Sequence, residues 1–381
     1  MAVPVDRRWA WAEVDLGAIR HNVETLKALT PSETLFMAVV KADGYGHGAS
    51  EVAQAALAAG ADRLGVATVD EGVRLRKAGI TAPVQILSEP PVSATPLLVR
   101  YGLRPALYSP EFAAALSRAG VAAGSAVPFH LKVNTGMNRI GVDWADAGSF
   151  AESLRALPGI ALEGVFTHFA TADIPGDWDF ERQVERFASA VGDLRGRGMD
   201  PGIVHSANSP ATILHPQTHL GMVRCGIALY GLHPCDATRD RIDLRPAMAI
   251  KTRVSQVRRV SMGEGVSYGL SWRAASPATI ATLPLGYADG VRRGLSGAMR
   301  ILLGGVECRQ VGRICMDQFM VEIPRGVDVG TGDEAVLVGS QGGCTLTVDE
   351  QAEHLGTINY EVACGYGARL ARVYLPAQVS R

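Results

Sequence analysis

The chain has 381 residues, of which 47% are hydrophobic and 20% are charged, and its formal net charge is −1. This length and composition allow one large domain with a sizeable core and a smaller second domain. The near-zero net charge argues against binding nucleic acid or a membrane surface through a basic field. No apolar run is long enough to span a bilayer, and Met1–Trp9 lacks a signal-peptide core, so we expect a cytoplasmic protein. The six cysteines form no CxxC pair and no Cys/His cluster at zinc spacing, and we expect no metal site.

The first two-thirds of the chain alternates strand-like apolar runs with alanine- and charge-rich segments of helical spacing. Near-continuous apolar strands that alternate with helices predict a parallel sheet, and eight such units fit an α/β fold of the closed (β/α)8 or TIM type. An open doubly wound sheet is the alternative, although no GxGxxG follows the first strand. The predicted strands are Leu35–Lys41, Leu64–Val69, Pro83–Leu87, Arg104–Tyr108, Pro128–Val133, Leu162–His168, Ile203–Asn208 and Met222–Cys225. The segments between them with the clearest helical spacing are Ala49–Ala59, Pro110–Ala119 and Phe180–Arg197.

From about Pro246 the pattern changes to short β-rich runs separated by glycine turns such as Gly304-Gly305. This change predicts a separate, mainly-β domain at the C-terminal end. The longest of these predicted strands is Ala249–Val260. A further strand-like alternation, Trp11–Leu16, precedes the predicted barrel.

A lysine stands at the end of the first predicted strand and is followed at once by a glycine-rich loop, in the segment KADGYGHG of residues 41–48. Burial at a strand end lowers the pKa of a lysine and makes its amine a nucleophile toward aldehydes. In this way a lysine holds pyridoxal phosphate (PLP) as a Schiff base. The segment resembles the PLP-lysine motif of alanine racemases, with Lys41 as the lysine, and the resemblance extends over nearly the whole chain. It implies a barrel that binds PLP at residues 17–245 and a discontinuous β domain at residues 1–16 and 246–381.

Polar residues gather where the predicted barrel strands end. Active sites of (β/α)8 barrels lie at the C-terminal ends of the strands. Charge in buried strands is costly unless it is paired or used, so packing alone accounts poorly for this cluster. We therefore predict the active site at this rim, where its members are Lys41, Lys132, Arg139, His168, Asn208, Ser209 and Arg224.

Two neighbouring strand ends predict a phosphate site. In the segment HSANSPA of residues 205–211, Ser209 is a natural N-cap and Pro210 suits the first helical position. The N–H groups of a helix start can bind a phosphate, and such sites recur after strands seven and eight of this fold. The backbone amides of Gly226 and Ile227, which follow strand eight, would supply the other half of the phosphate site. The resemblance adds Asn208 to the cofactor-binding residues.

Arg224 lies in the segment VRCGIALYG of residues 223–231. By resemblance this arginine faces the pyridine nitrogen of PLP, where most PLP enzymes place a carboxylate. Arginine is always cationic and can only donate hydrogen bonds. The resemblance therefore implies a weakened electron sink in the ring and suppression of side reactions such as transamination.

The segment HLKVNTGMNRIG of residues 130–141 resembles another motif of the family. In that motif a lysine, here Lys132, is often carbamylated, and its carbamate orients an arginine, here Arg139, toward the substrate carboxylate. The usual aspartate of the motif is Asn134 in this chain, which removes a charge near the rim. Carbamylation of Lys132 is an expectation that follows from the resemblance alone.

The β domain is expected to supply the second base. The loop GEGVSYG of residues 263–269 resembles the family loop whose tyrosine, here Tyr268, faces the cofactor of the neighbouring subunit with help from a histidine, here His168. The segment GRICMDQ of residues 312–318 matches one whose methionine, here Met316, offers its backbone N–H to the substrate carboxylate across the dimer. The resemblance also assigns PLP contacts to Tyr45 and Tyr360.

Together these matches imply a homodimeric, PLP-dependent alanine racemase that supplies D-alanine for peptidoglycan. Lys41 and Tyr268 would exchange the Cα proton on opposite faces of the substrate. The alternative is a racemase of another small amino acid such as serine, because one pocket discriminates such substrates only modestly. A PLP decarboxylase is disfavoured by Arg224, a single-barrel PLP carrier by the β domain, and a periplasmic racemase by the absence of a signal peptide.

Overall fold

A computed structural model of the protein describes residues 8–376. The expected cytoplasmic location was argued from Met1–Trp9, and residues 1–7 of that segment lie outside this range. Residues 377–381 of the predicted β domain also lie outside it. The chain divides into two compact units. Among these described residues, the barrel unit comprises Gly17–Gly44 and Ala49–Pro246, and the strand-rich unit comprises residues 8–16, Tyr45–Gly48 and residues 247–376.

Eight parallel strands form the centre of the barrel unit. They are β1 (Leu35–Val39), β2 (Arg63–Val66), β3 (Val84–Ile86), β4 (Leu103–Leu107), β5 (Val127–Asn134), β6 (Ile160–Phe166), β7 (Ile203–His205) and β8 (Met222–Cys225). They pair in the order β8-β1-β2-β3-β4-β5-β6-β7. Between β7 and β8 the backbone N–H of Gly221 donates to Val204 O and that of Arg224 to Ala207 O, both at 3.0 Å, so the sheet is nearly closed. The predicted fold class, with eight parallel barrel strands, is confirmed.

Helices alternate with these strands along the chain. The longest is Trp178–Gly196. Its N-cap is Asp177, whose carboxylate accepts the N–H groups of Asp179 and Phe180. Phe187, Val191 and Leu194 of this helix share a hydrophobic cluster with Leu131 of β5 and Val165 of β6. The helical spacing of the sequence thus buries one face of the helix on the sheet. The helices of this part of the chain are Leu16–Lys27, Ala49–Ala58, Val69–Lys77, Thr95–Tyr101, Pro110–Ala122, Ala147–Leu154, Trp178–Gly196 and Ser209–Leu214.

The strand-rich unit is built on a ten-stranded sheet. Its first strand, Ala10–Asp15, lies between Met248–Arg253, with which it pairs antiparallel, and Ala371–Leu375, with which it pairs parallel. The other strands of the sheet are Gln256–Val260, Ala278–Leu283, Arg300–Leu303, Val306–Val311, Phe319–Ile323, Glu334–Gln341 and Cys344–Leu346. A small separate ribbon pairs Gly265–Val266 with Trp272–Arg273, and the helices of this unit are Val348–Leu355 and Asn359–Gly365.

The predicted strand Ala249–Val260 is wrong as a single element. It consists of two strands, Met248–Arg253 and Gln256–Val260, that pair with different neighbours. At the break, the N–H of Val254 donates to Asp333 O and the N–H of Ser255 donates to Thr282 O. The chain therefore changes partners at Val254 and Ser255, and the apolar pattern carries no sign of that change.

The glycine turn at Gly304-Gly305 is confirmed as a tight hairpin connection between Arg300–Leu303 and Val306–Val311. Both glycines have positive φ, 64° and 79°, which a two-residue turn of this hand requires. Within residues 8–376, no helix combines the length and apolar character needed to cross a bilayer. The same residues contain no group of three or more His, Cys, Asp or Glu side chains placed to hold a metal ion.

Candidate active site

Lys41 follows the end of β1 by two residues and opens a loop with an unusual backbone. Ala42 and Asp43 both have φ of 52°, in the left-handed region that costs an ordinary residue about 1–2 kcal/mol. The N–H of Ala42 donates to Glu71 Oε1 at 2.7 Å, and Asp43 Oδ1 accepts the N–H of Ala49 at 3.0 Å. An unfavourable backbone that its surroundings hold in place is typical of functional sites, because it fixes the attached side chain.

His168, which follows β6 and is half-buried, lies among positive charges. Burial lowers the pKa of His168 well below its usual value, and the charges of Arg224, Lys132, Arg139 and Lys41 lower it further. A charge shifts a pKa only from nearby. The geometry agrees with this shift, because Lys132 and Arg139 line one small cavity with His168, and Arg224 donates to the His168 ring at 3.2 Å. We therefore take this imidazole as neutral.

Arg224 lies in β8 and is buried, with four hydrogen-bond acceptors around its guanidinium. One terminal nitrogen donates to His205 Nδ1 at 3.1 Å. The other donates to His168 Nδ1 at 3.2 Å and to the carbonyl oxygens of Thr167 and Ser206 at 2.8 and 3.1 Å. Burial lowers the pKa of Arg224 to about 10, so the guanidinium remains charged at neutral pH.

Lys132 is buried in β5, near the guanidinium of Arg224. Its Nζ lies 4.6 Å from the centre of the Phe166 ring. Burial lowers the pKa of Lys132 well below its usual value, and the charges of Arg224 and Arg139 add to this effect. Within the described range, no carboxylate forms an ion pair with Lys132. A lowered pKa increases the neutral, nucleophilic fraction of the amine, which is the form that reacts with CO2.

Asn134 organises the loop between Lys132 and Arg139. Its Oδ1 accepts the N–H groups of Gly136 and Asn138 at 3.2 and 3.0 Å. Its Nδ2 donates to Asn138 Oδ1 at 3.0 Å and to Asp143 Oδ1 at 3.1 Å. The amide uses both of its ends, so asparagine fits this position in a way that an aspartate, which only accepts, does not.

The N-cap predicted at Ser209 is displaced by one residue. Asn208 is the N-cap, and its Oδ1 accepts the N–H of Ala211 at 3.1 Å, so Pro210 occupies the second helical position. Ser209 instead uses its Oγ to accept the N–H of Gly226 at 2.9 Å. The two strand ends predicted to form the phosphate site are thus joined by the serine hydroxyl.

Tyr268 and Met316 lie on two adjoining loops of the strand-rich unit. Ser267, which has φ of 68°, donates its hydroxyl to Arg313 O at 2.6 Å and so joins the two loops. Tyr268 is 73% exposed and Met316 is 53% exposed. Large, mainly apolar side chains that are this exposed are available to a partner surface.

Tyr45 and Tyr360 also belong to the strand-rich unit, with ring centres 6.3 Å apart. Burial raises the pKa of Tyr45, and the nearby Tyr360 and Cys364 raise it further. The Tyr45 hydroxyl is therefore protonated at physiological pH and can donate a hydrogen bond to an anion.

The sequence prediction missed His205, which contacts Arg224, and the two residues that follow His205 in a line of hydrogen bonds, His130 and Glu163. His130 shares a strand face with Lys132, two residues on, so the alternation in β5 was a usable signal. His205 and Glu163 gave no comparable signal, because each meets its partner only when separate strands of the barrel come together. Residues 130 and 205 are 75 positions apart in the chain, yet their rings lie within hydrogen-bond distance.

Two sequence-family models match the chain. The model described as alanine racemase, N-terminal domain, matches residues 14–234, and the model described as alanine racemase, C-terminal domain, matches residues 247–374. Together they cover almost all of the residues that the structure describes.

Individual relatives agree with these matches. Alanine racemases of Symbiobacterium thermophilum and Desulfovibrio desulfuricans are each 46% identical to the chain, over 96% and 97% of its length and 97% and 98% of their own. Among solved structures, an alanine racemase from Bacillus anthracis with bound L-Ala-P has a TM-score of 0.92 at 37% identity, covering 98% of this chain and 97% of that one. A Clostridium difficile alanine racemase in complex with cycloserine has a TM-score of 0.90 at 37% identity, with the same coverage.

Proposed function

The chain belongs to the alanine racemase family, and from this premise we propose that it interconverts L-alanine and D-alanine with PLP as its cofactor. The D-alanine formed would supply peptidoglycan synthesis. The observation that carries the proposal is that Lys132, Arg139 and His168 line one cavity at the rim of the barrel, where Arg224 donates to His168.

The donor set of the barrel unit fits PLP. Lys41 offers a primary amine beyond β1, and Arg224 offers guanidinium N–H groups to a pyridine nitrogen. Ser209, Gly226 and Ile227 lie where β7 and β8 end, where barrels of this fold commonly bind a phosphate. By resemblance to the family, the hydroxyl groups of Tyr45 and Tyr360 would also contact the phosphate. PLP, when bound, makes the Cα proton of an attached amino acid acidic.

Lys41 and Tyr268 move that proton in our proposal. Lys41 would hold the cofactor and, once substrate has displaced it, take or return the Cα proton on one face. Tyr268 of the partner subunit would act on the opposite face, so that removal by one residue and return by the other inverts the centre. His168 supports Tyr268, because its Nδ1 accepts from Arg224 and its single proton must therefore lie on Nε2.

Substrate binding uses a cation and a backbone donor. Arg139, turned by a carbamate on Lys132, and the N–H of Met316 from the partner subunit would bind the substrate carboxylate. Tyr360 and Met316 would border the side-chain pocket and favour a methyl group. Serine differs from alanine by one hydroxyl, so slow turnover of serine is expected from the same pocket.

A homodimer with shared sites completes the proposal. Tyr268 and Met316 are exposed on one chain, and adjoining loops present them together. Residues that act in a neighbour's site need this exposure in the isolated chain. In a C2 dimer, each chain would contribute its Tyr268 and Met316 to the active site of the other chain, because such an interface pairs the same surface of both chains.

The function is tested by assaying D-alanine formation from L-alanine with purified, PLP-loaded protein. We expect activity in the wild type and in Lys77→Ala, which removes an exposed lysine of the barrel unit, and none above background in Lys41→Ala. Racemisation of another amino acid but not of alanine would show that alanine is not the substrate. Equal activity in Lys41→Ala and wild type would overturn the role of Lys41.

A further inference from the structure

Arg224 is a buried cation whose direct partners are all neutral. Its acceptors are two imidazole nitrogens and two carbonyl oxygens. Among residues 8–376 no carboxylate forms an ion pair with it. A buried charge is costly without compensation, and the nearest line of polar groups leads from Arg224 through His205 into the barrel.

That line ends at a carboxylate. His205 Nε2 lies 2.8 Å from His130 Nδ1, and His130 Nε2 lies 3.0 Å from Glu163 Oε2. Both imidazoles are fully buried. Glu163 is further held by Arg63 and Arg104, each at 2.9 Å.

The two ends of this line fix every proton in it. Arg224 can only donate, so His205 Nδ1 is an acceptor and the single proton of the neutral ring lies on Nε2. That Nε2–H donates to His130 Nδ1, which leaves the proton of His130 on its own Nε2. His130 Nε2–H then donates to the carboxylate of Glu163.

No other arrangement of protons satisfies all three contacts. If His130 were doubly protonated, its Nδ1–H would donate to His205 Nε2, and the proton of His205 would move to Nδ1. An N–H at Nδ1 would then face the N–H of Arg224 in a buried site, leaving two donors opposed.

The electrostatics agree with two neutral rings and an ionised Glu163. Burial lowers the pKa of both His130 and His205, and neighbouring positive charges lower that of His205 further. Burial alone would raise the pKa of Glu163, but hydrogen bonds from His130, Arg63 and Arg104 outweigh this and lower it well below its usual value.

We propose that Glu163 and His130 are positioning residues for the reaction: with His205 they form a one-directional hydrogen-bond chain that fixes the orientation of Arg224 toward the cofactor. The proposal rests on the proposed function, because that function gives Arg224 its task at the pyridine nitrogen. The chain locks His205 in the tautomer whose lone pair faces Arg224. It also links the buried guanidinium to the negative charge of Glu163 without bringing a carboxylate to the cofactor.

The first test needs no activity and no variant to establish the tautomers. Protein labelled with 15N-histidine, with and without PLP, is examined by side-chain NMR from about pH 6 to about pH 9, a range that spans the ordinary histidine pKa. We expect His205 and His130 to be neutral, protonated on Nε2 and unchanged over the range. A proton on Nδ1 of either ring, or titration of either ring, would overturn the proposal.

The second test separates hydrogen bonding from packing at residue 130. Glutamine can accept at its carbonyl and donate at its amide, as His130 does, whereas phenylalanine keeps only the aromatic bulk. We expect His130→Phe to lower kcat at least about tenfold with little change in KM for alanine, a loss typical of removing an outer partner that orients a site residue. His130→Gln should keep kcat within about threefold of wild type, and in His130→Phe the His205 ring should populate both tautomers.

His219→Phe is the matched control, since it removes a buried imidazole of the same unit that bonds to the carbonyl of Thr212. Its kcat should remain within about twofold of wild type, inside the range of an ordinary substitution away from a site. Equal losses in His130→Gln and His130→Phe would assign a packing role and overturn the proposal. If either variant does not fold, the tautomers of His205 and His130 in the wild-type protein decide whether the proposal stands. The predicted tautomers in a protein without racemase activity would contradict the proposed function and leave the hydrogen-bond chain standing.

Discussion

At the scale of single residues, burial changes the chemistry of Lys132 most. Its pKa lies well below the usual value because the side chain is buried and because Arg224 and Arg139 are close. A carbamate on Lys132 would place a negative charge near these two arginines. Since CO2 reacts with the neutral amine and acid reverses the reaction, the modification should be lost as pH falls.

We predict that protein equilibrated with 13C-bicarbonate at mildly alkaline pH shows a single slow-exchanging carbamate carbon by NMR. Lys132→Ala should lack the signal, and Lys77→Ala should keep it. Lowering the pH should remove the signal and weaken alanine binding at Arg139. A wild-type protein without a carbamate carbon at alkaline pH would contradict the prediction.

Tyr268 offers a second prediction at this scale. If the two bases act on opposite faces, Tyr268→Phe removes only one of them. Racemisation should fall by at least about a hundredfold, in the range of general acid–base catalysis, while the variant still exchanges the Cα proton of one alanine enantiomer with deuterated water. Exchange of both enantiomers at similar rates would exclude Tyr268 as the second base.

Single residues were predictable where a local motif carries their chemistry, and less so where barrel closure creates the contact. Lys41 follows an apolar strand and precedes a glycine-rich loop, so its position at a strand end was evident from the sequence. The N-cap was placed at Ser209 instead of Asn208, because both side chains can cap and proline is accepted at either of the next positions. His130 and Glu163 were missed because their partners are distant in the chain.

At the scale of elements, the loop after β5 shows a substitution with a structural reason. Asn134 accepts two backbone N–H groups and donates to Asn138 and Asp143. An aspartate there would keep the accepted bonds but would face the carboxylate of Asp143. Asn134 and Asp143 are therefore a matched pair that stabilises the segment carrying Arg139.

We predict that Asn134→Asp lowers the free energy of unfolding by about 1–2 kcal/mol, the usual range for a lost hydrogen bond with an unpaired group. It should also raise KM for alanine, because Arg139 follows in the same loop. Adding Asp143→Asn restores a donor opposite the new carboxylate and should recover most of both losses. A double variant as impaired as Asn134→Asp would show that the two side chains are not coupled.

Elements of the barrel were easier to predict than those of the sheet. Each barrel strand is separated from the next by a helix, so a change of period marks its ends. In the strand-rich unit, Met248–Arg253 and Gln256–Val260 are separated by only two residues and pair with different neighbours. Apolar alternation reports the faces of a strand but not its partners, which is why one strand was predicted in place of two.

At the scale of the whole molecule, the sequence alone does not say why an exposed tyrosine in a glycine-rich loop should matter. Taken by itself, Tyr268 is an ordinary surface residue. The structure adds that the Tyr268 loop is hydrogen-bonded to the Met316 segment through Ser267, and that both side chains are exposed. The proposal that this surface completes the site of a second subunit came from the family resemblance, because a contact between chains leaves no periodic signal in one of them.

The central claim is that each active site combines Lys41 of one chain with Tyr268 of another to racemise alanine. The most direct measurement mixes two inactive variants, Lys41→Ala and Tyr268→Phe, under conditions that exchange subunits, and follows D-alanine formation. A mixed dimer has one site with both changes and one site with neither, so random pairing should restore about a quarter of the wild-type activity. Activity that stays at the level of the separate variants, although mixed dimers have formed, would contradict the claim.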